Sequence, residues 1–289
     1  MKYIILGHEN PDVDSIVSGY LLEKVLCQKG YDANYIIPDK KISEDTTNIL
    51  SEYNFNPAVF LSDLEQYGDD VRYILVDHNV REALNVVAII DHHPTERDFS
   101  EVVCYRNEPA SSAACMIAIE NEKYLEREDI ELACLATLVD TASFNSTKTR
   151  ETDKIWVQSM CEKYNLDYDK LYKSGLCLTS LYDIDKASLN GLKKYNFDGK
   201  LVQSSYIQIE KSLENSIKID MIVELLKEYV RAQGLDMFVF IVHDMIAFKT
   251  NAYKISTDGI SVDKYEKYTS RGSQIIPSVE MELVKKNKS

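Results

Sequence analysis

The sequence predicts an α/β protein of two domains: an N-terminal, mainly parallel sheet flanked by helices, and a smaller C-terminal α+β domain. Three observations carry that expectation. The chain has 289 residues, more than one core usually holds, and its 45% hydrophobic content can fill two. In the first half, short β-rich runs ("YIIL", "ANYIIP", "RYILVD", "VVAIID") alternate with helical stretches, the pattern of βα units. Around residues 180–192, "SLYDIDKASLNGL", the strong apolar periodicity lapses, which marks a candidate hinge between domains at 1–183 and 190–289.

Taken in order, "KYIIL" reads as the first strand. It hands over through "GHENPDVDS" to the helical "SIVSGYLLEKVLCQKG". The strands "YIILGH", "YILVDHN" and "VAIIDHH" each end in a polar cluster of His and Asp. A fourth element, "ELACLATLVDTASFNS", runs as an apolar helix and delivers Asp140, followed by small hydroxylated residues. In open parallel sheets catalytic groups collect at the carboxyl ends of the strands, so four elements converge on one edge. In the second half, "KLVQSSYIQIE" alternates as a strand, "SIKIDMIVELLKEYVRAQGL" is an amphipathic helix, and "MFVFIVHDMIAFKTNAYKIS" is a hairpin-like apolar pair. That order predicts an α+β module on one sheet.

Composition narrows the function. A formal net charge of -14 argues against a nucleic-acid polymer or an anionic membrane as partner, since both need a basic surface. An anionic small-molecule substrate would need metal ions or a local cluster of Lys and Arg. The N-terminal apolar run is too short for a signal peptide and no later segment approaches membrane-spanning length, so the expected location is cytoplasmic. The six cysteines form no C-x-x-C pair; several lie in apolar helical surroundings and read as buried reduced thiols. There is no G-x-G-x-x-G and no G-x-x-x-x-G-K-[ST], so neither a dinucleotide fold nor a P-loop is supported.

The chain has five histidines, and His8, His78, His92 and His93 all fall in the strand-end clusters, leaving His243 elsewhere. Any one of them alone reads as a histidine satisfied by hydrogen bonds. The set reads as a metal site, because carboxylates as close as Asp12 and Asp14 repel unless a cation sits between them. Imidazole mixed with carboxylates, without thiolate, suits Mn, Co, Fe or Mg, with Zn a further option, and the number of carboxylates suggests two ions. A paired site is the form that clamps a phosphoryl group and produces hydroxide near neutral pH.

"GHENPDVDS", "VDHN", "IDHH" and "LVDTASF" resemble, in order, the motifs of the DHH phosphoesterases, and in particular of the manganese-dependent family II inorganic pyrophosphatases. "RNEPASSAACMIA" and "STKTRETD" look like further segments of that family, so the resemblance runs over nearly the whole chain. It implies a DHH-type catalytic domain, a C-terminal DHH-associated domain, and an active site in the cleft between them. The implied activity is hydrolysis of pyrophosphate to two phosphates by a bridging hydroxide that two metals activate. The implied cofactors are two Mn²⁺, with Co²⁺ or Mg²⁺ as alternatives and an additional Mg²⁺ accompanying the substrate. By the same resemblance His8 and Asp12 bind one metal, Asp14, His92 and Asp140 bind the other, and Asp77 bridges both. His93 is the substrate-side histidine and proton donor at the leaving oxygen, while Asp91 and His78 orient ligands and fix tautomers. Asn10 and Asn79 are weaker candidates, Asn10-Pro11 being equally a turn former. Gly7 would permit a tight backbone approach. A homodimer through the larger domain is also implied.

One stretch departs from the family pattern. Where the family carries Ser-Arg-Lys-Lys-Gln, this chain has Ser270-Arg271-Gly272-Ser273-Gln274, so the arginine stays and both lysines are replaced. Arg271 can still take a phosphate oxygen pair in fork geometry. Lys193 best matches another phosphate-binding lysine of the family, with Lys194 and Lys200 as nearby candidates; Ser270 completes the substrate-side set. Three readings follow: a pyrophosphatase, a related DHH enzyme acting on short-chain polyphosphate or a nucleotide, or an inactive metal- or phosphate-binding regulatory protein. The motifs leave no room for an inserted nucleotide-binding regulatory domain.

Overall fold

The computed structural model describes every residue except 40, 68–69, 80–83, 94–101, 147–148, 211 and 287–289. Two positions of "STKTRETD" and the last three of the tail, which the sequence reads as frayed, therefore lie outside the described residues. The chain divides into two compact units, Met1–Leu176 and Cys177–Ser289.

In the first unit β1 (Lys2–Leu6), α1 (Val13–Gln28) and β2 (Asp32–Ile36) form the opening βα unit, and α2 (Glu44–Ser51) precedes β3 (Val71–Val76), β4 (Val86–Asp91) and β5 (Cys104–Asn107). The sheet order is β2-β1-β3-β4-β5, and every pairing is parallel. Four more helices follow: α3 (Ala113–Asn121), α4 (Arg127–Asp140), α5 (Glu151–Tyr164) and α6 (Tyr168–Gly175). Strand side chains alternate between two apolar layers. Ile5, Tyr35, Ile74 and Val76 pack with residues of α1, α3, α4 and α5, whereas Ile4, Leu6, Ile36, Leu75 and Ile89 pack on Leu64 and Tyr67. Burial on both faces is why these strands read as continuous apolar runs. The helix starts are set locally. Asp12 accepts the Ser15 amide at the start of α1, Ser112 accepts the Cys115 amide at α3, and Glu126 with Asp129 forms a reciprocal cap on α4.

In the second unit α7 (Ile184–Ser188) leads into β6 (Lys193–Phe197), β7 (Lys200–Ile209), α8 (Leu213–Gln233), β8 (Met237–Asp244), β9 (Lys249–Ser256), β10 (Gly259–Tyr265) and α9 (Ile276–Lys286). The sheet runs β10-β9-β8-β7-β6, with β7 and β8 parallel and the other neighbours antiparallel. Phe238, Phe240 and Val242 pack with Ile222, Leu226 and Val230 of α8, while Val239 and Ile241 pack with Ile276 and Val279 of α9. Helices cover both faces, which is why the alternating "KLVQSSYIQIE" keeps even Gln203, Ser204 and Ser205 buried.

Leu181 and Ala187, in the stretch that reads as a hinge, are buried with Ile207 and Phe238 in the second unit's core. Strands β5, β6 and β10 are additional to those expected; all three are edge strands with exposed or half-buried side chains, so they lack an apolar signature. Among the described residues, no helix is long and apolar enough to cross a membrane. Cys115, Cys134 and Cys161 are free and buried, as their apolar surroundings suggested.

Candidate metal centre

The three central strands β1, β3 and β4 end side by side, and their ends carry the His and Asp clusters. After β1 the chain turns at Gly7, where an added Cβ would lie 2.1 Å from Ser15 Oγ; the missing side chain lets the turn rest on the first turn of α1. Ser15 Oγ in turn accepts the His8 amide at 3.0 Å. Asp12 caps α1 and Asp14 lies in its first turn, so one helix start presents both carboxylates. Asp77 follows β3 with φ +60°, a left-handed backbone that a short polar residue tolerates and that tends to persist where function holds it.

These elements bring together three donor groups: His8, Asp12 and Asp77; Asp14, His92 and Asp140; and Asp77, His92 and His93, with the ligand atoms of each group within 4.8 Å of one another. Asp77 faces both ways. Its Oδ2 lies 3.4 Å from His8 Nε2, and its Oδ1 lies 3.2 Å from His92 Nε2. His92 Nε2 is also 3.6 Å from Asp14 Oδ2 and 3.5 Å from Asp140 Oδ2 at the end of α4, and His8 Nε2 is 3.6 Å from Asp12 Oδ2. Asn10 lies at the rim, its amide on Asp39 Oδ1.

Backbone and carboxylate acceptors fix the tautomers. His8 Nδ1 donates to the Glu9 carbonyl at 2.8 Å, and His92 Nδ1 donates to the Ala110 carbonyl at 3.1 Å. Both Nε2 atoms are thereby left to the carboxylates. His93 Nδ1 sits 2.9 Å from Asp91 Oδ1, and His78 Nδ1 donates to the Val76 carbonyl at 3.0 Å. Asp91, fully buried, also accepts the His92 and His93 amides and the side-chain amides of Asn79 and Asn107. Asp14, 1% exposed, takes the Ala113 and Ala114 amides at 2.7 and 2.9 Å, at the start of α3. Those amides and the Ala110 carbonyl belong to "RNEPASSAACMIA", a segment the sequence reading matched to the family without assigning it a task.

The donor set suits hard or borderline divalent cations: imidazole nitrogens with set tautomers, several carboxylates, and no thiolate. Buried carboxylates need a cationic partner, and the His8 and His92 imidazoles lie against them. Burial alone would lower His8, but hydrogen bonds and charge from Asp12 and Asp77 raise it to about 11. Burial likewise opposes protonation of His92, and Asp77, Asp14 and Asp140 raise it to about 9. Asp77 is held well below the usual carboxylate range, against its burial, by those two imidazoles. Asp14 is pushed upward by burial and by the Asp77 charge.

The pH dependence follows. Both imidazole values lie above the ordinary 6.5, so the stability they contribute is complete below that value. It is lost as pH rises through about 9 and then about 11. Asp77 contributes in the other sense, losing its share on acidification below the carboxylate range. Metal-free protein should therefore melt at progressively lower temperature from about pH 8 to about pH 10, while Mn²⁺, whose binding must displace these protons, should bind more tightly over the same range. Calorimetry with and without Mn²⁺ checks this; a melting temperature that rises over that range without metal would contradict it.

The remaining expected residues lie in the second unit. Ser270 precedes a wide helical turn, its carbonyl accepting the Gln274 and Ile275 amides, and that turn contains Arg271 and leads into α9. Lys193 opens β6, and burial together with the nearby Arg271 charge lowers its ammonium below the usual lysine value. Lys200 is engaged elsewhere, in an ion pair with Asp236 at 2.9 Å. His243, outside the strand-end clusters, is buried near Arg271; burial and that charge lower it to about 4.

Residues 2–142 match the profile of the DHH family, N-terminal domain. A manganese-dependent inorganic pyrophosphatase of Methanocaldococcus jannaschii is 25% identical over 97% of this chain and 98% of that protein. Another from Methanothrix thermoacetophila is 25% identical over 96% of each. Among solved structures, one described as a family II inorganic pyrophosphatase of Methanococcus jannaschii superposes with a TM-score of 0.64 at 21% identity, covering 96% of this chain and 98% of that one. An exopolyphosphatase-related protein from Bacteroides fragilis gives 0.52 at 15% identity, over 98% and 91%. Their likeness is one of fold. The profile match covers the strand ends and α4, the elements that bring the His and Asp donors together.

Proposed function

We propose that the protein hydrolyses inorganic pyrophosphate to two phosphates at a centre of two divalent ions, Mn²⁺ being the preferred pair. The observation that carries this reading is Asp77, whose two oxygens face separate donor groups, His8 with Asp12 and His92 with Asp14 and Asp140. Bound there, divalent ions polarise phosphoryl oxygens and make water a nucleophile at neutral pH. The names of the similar proteins support pyrophosphate as substrate and manganese as metal.

The protein's own groups then have defined tasks. Asp77, Asp14 and the anchored imidazoles would hold the ions, and helix-start amides and carbonyls already fix Asp14, His8 and His92 in place. His93, its Nδ1 tied to Asp91, presents Nε2 as a proton donor to the leaving phosphate oxygen. Lys193 and Arg271 bind phosphate oxygens: the two are neighbouring cations, the Arg271 charge acting on the Lys193 ammonium, and together they form an anion receptor.

A second reading, hydrolysis of short-chain polyphosphate or a nucleotide, is favoured by Gly272 and Ser273, which stand where the resembled family has lysines. The two are separated by measuring phosphate release with Mn²⁺ from pyrophosphate, tripolyphosphate and a small panel of nucleotides in parallel. The highest kcat/KM should be for pyrophosphate; preference for a longer or nucleotide substrate would transfer the assignment to the second reading.

A further inference from the structure

With the two lysines replaced, Arg271 is the cation that remains in "SRGSQ", so what fixes its guanidinium matters. Its backbone is approached from the sheet: Thr250 Oγ1 on β9 accepts the Thr269 amide at 3.0 Å and bonds His243 Nδ1 on β8 at 2.9 Å. The Tyr268 ring stacks on His243 with centroids 4.5 Å apart. Its side chain is approached from the other end of the sheet. The guanidinium carbon lies 5.0 Å from the centroid of the Tyr206 ring on β7, and Nη1 donates to the Gly191 carbonyl. Tyr206 is itself braced, its amide donating to the Asn190 carbonyl at 3.1 Å and its carbonyl accepting Asn190 Nδ2 at 3.0 Å. Gly191 has φ +60°, and an added Cβ would lie 2.5 Å from Tyr206 Cε1, so glycine is required there both for its backbone and for the ring.

We propose that Tyr206 and Gly191 are positioning residues for Arg271, the ring serving as platform and the carbonyl as anchor, so that the guanidinium is a pre-set fork for a pair of phosphoryl oxygens. An arginine with one face on an aromatic ring and one N–H on a carbonyl still has an N–H edge for an oxyanion. Holding it there in the free protein removes the cost of ordering a long side chain on binding. That the oxygens belong to pyrophosphate rests on the function proposed above; the seat itself does not.

The test uses the full chain loaded with Mg²⁺, a diamagnetic stand-in. In a proton–nitrogen spectrum the Arg271 Nε–H signal, assigned by its loss in Arg271→Lys, should be displaced upfield by the ring. Tyr206→Leu should return it to the position of solvent-exposed arginines, and Tyr206→Phe should keep it displaced. Gly191→Ala, which pushes the ring aside, should repeat the Tyr206→Leu result and stands in for it if that variant does not fold. Inorganic phosphate should bind roughly three- to tenfold more weakly to Tyr206→Leu than to wild type, while Tyr206→Leu should cause no further loss in a chain that already carries Arg271→Lys. With Mn²⁺, KM for pyrophosphate should rise by the same factor while kcat stays within about twofold. An undisplaced wild-type signal, or losses that add in the double variant, would overturn the proposal. A displaced signal in a protein that releases no phosphate from pyrophosphate would instead leave the seat standing and remove the substrate assignment.

Discussion

Asp77→Asn is expected to reduce phosphate release from pyrophosphate by on the order of 10³-fold or more while leaving the fold in place. The reason is geometric. Asp77 Oδ2 serves the His8 group and Oδ1 the His92 group, so one carboxylate is common to both. An amide keeps one oxygen acceptor and replaces the other with a donor, which faces an imidazole nitrogen and cannot ligate a cation. The backbone should survive, because asparagine tolerates the left-handed conformation at this position nearly as well as aspartate, whereas alanine would not. Three measurements check this together: turnover, bound Mn²⁺ per chain, and circular dichroism. Turnover and metal content should fall together with an unchanged spectrum. Wild-type turnover in this variant would remove the shared carboxylate from the reading altogether.

How much of this was legible beforehand depended on whether a residue's role leaves a mark in its side-chain type. The strand ends were legible because His8, Asp77 and His92 are polar residues closing apolar runs, and the parallel-sheet rule says where such ends meet; Asp140 was legible as the polar residue closing an apolar helix. The left-handed backbone of Asp77 was not, because an aspartate after a strand is unremarkable in sequence. Nor were the Ala110 carbonyl and the Ala113 and Ala114 amides, which hold His92 and Asp14. These are backbone groups of small residues, and any residue type could supply them. Gly191 and Tyr206 escaped for another reason: they meet Arg271 only after β7 and the turn before β6 are brought beside the segment leading to α9. In the second unit "KLVQSSYIQIE" was readable as a strand but not as one buried on both faces, since α8 and α9 supply the cover from distant parts of the chain.

The same distinction between groups that bind and groups that hold them predicts the effect of altering Asp91. It belongs to none of the three donor groups found among the described residues; instead it gathers the His92 and His93 amides, His93 Nδ1, and the side-chain amides of Asn79 and Asn107 around one fully buried carboxylate. Those donors hold it ionised: burial would raise its value, and the bonds from His93 and Asn79 lower it below the ordinary carboxylate range. In Asp91→Asn one oxygen can still accept from the backbone, but the new amide points hydrogens at the Asn79 and Asn107 donors, and at least one contact must break. The expected result is a loss of about 10- to 100-fold in kcat/KM together with weaker Mn²⁺ binding, because both His92 and His93 lose part of their support. The clash should also lower stability by about 1–3 kcal/mol in urea unfolding, with an unchanged denaturant slope. Saturating Mn²⁺ should recover the part of the activity lost through metal affinity and none of the part lost through His93. Full recovery by metal would show that Asp91 acts through His92 alone, and the assignment of His93 as proton donor would then lose its structural support.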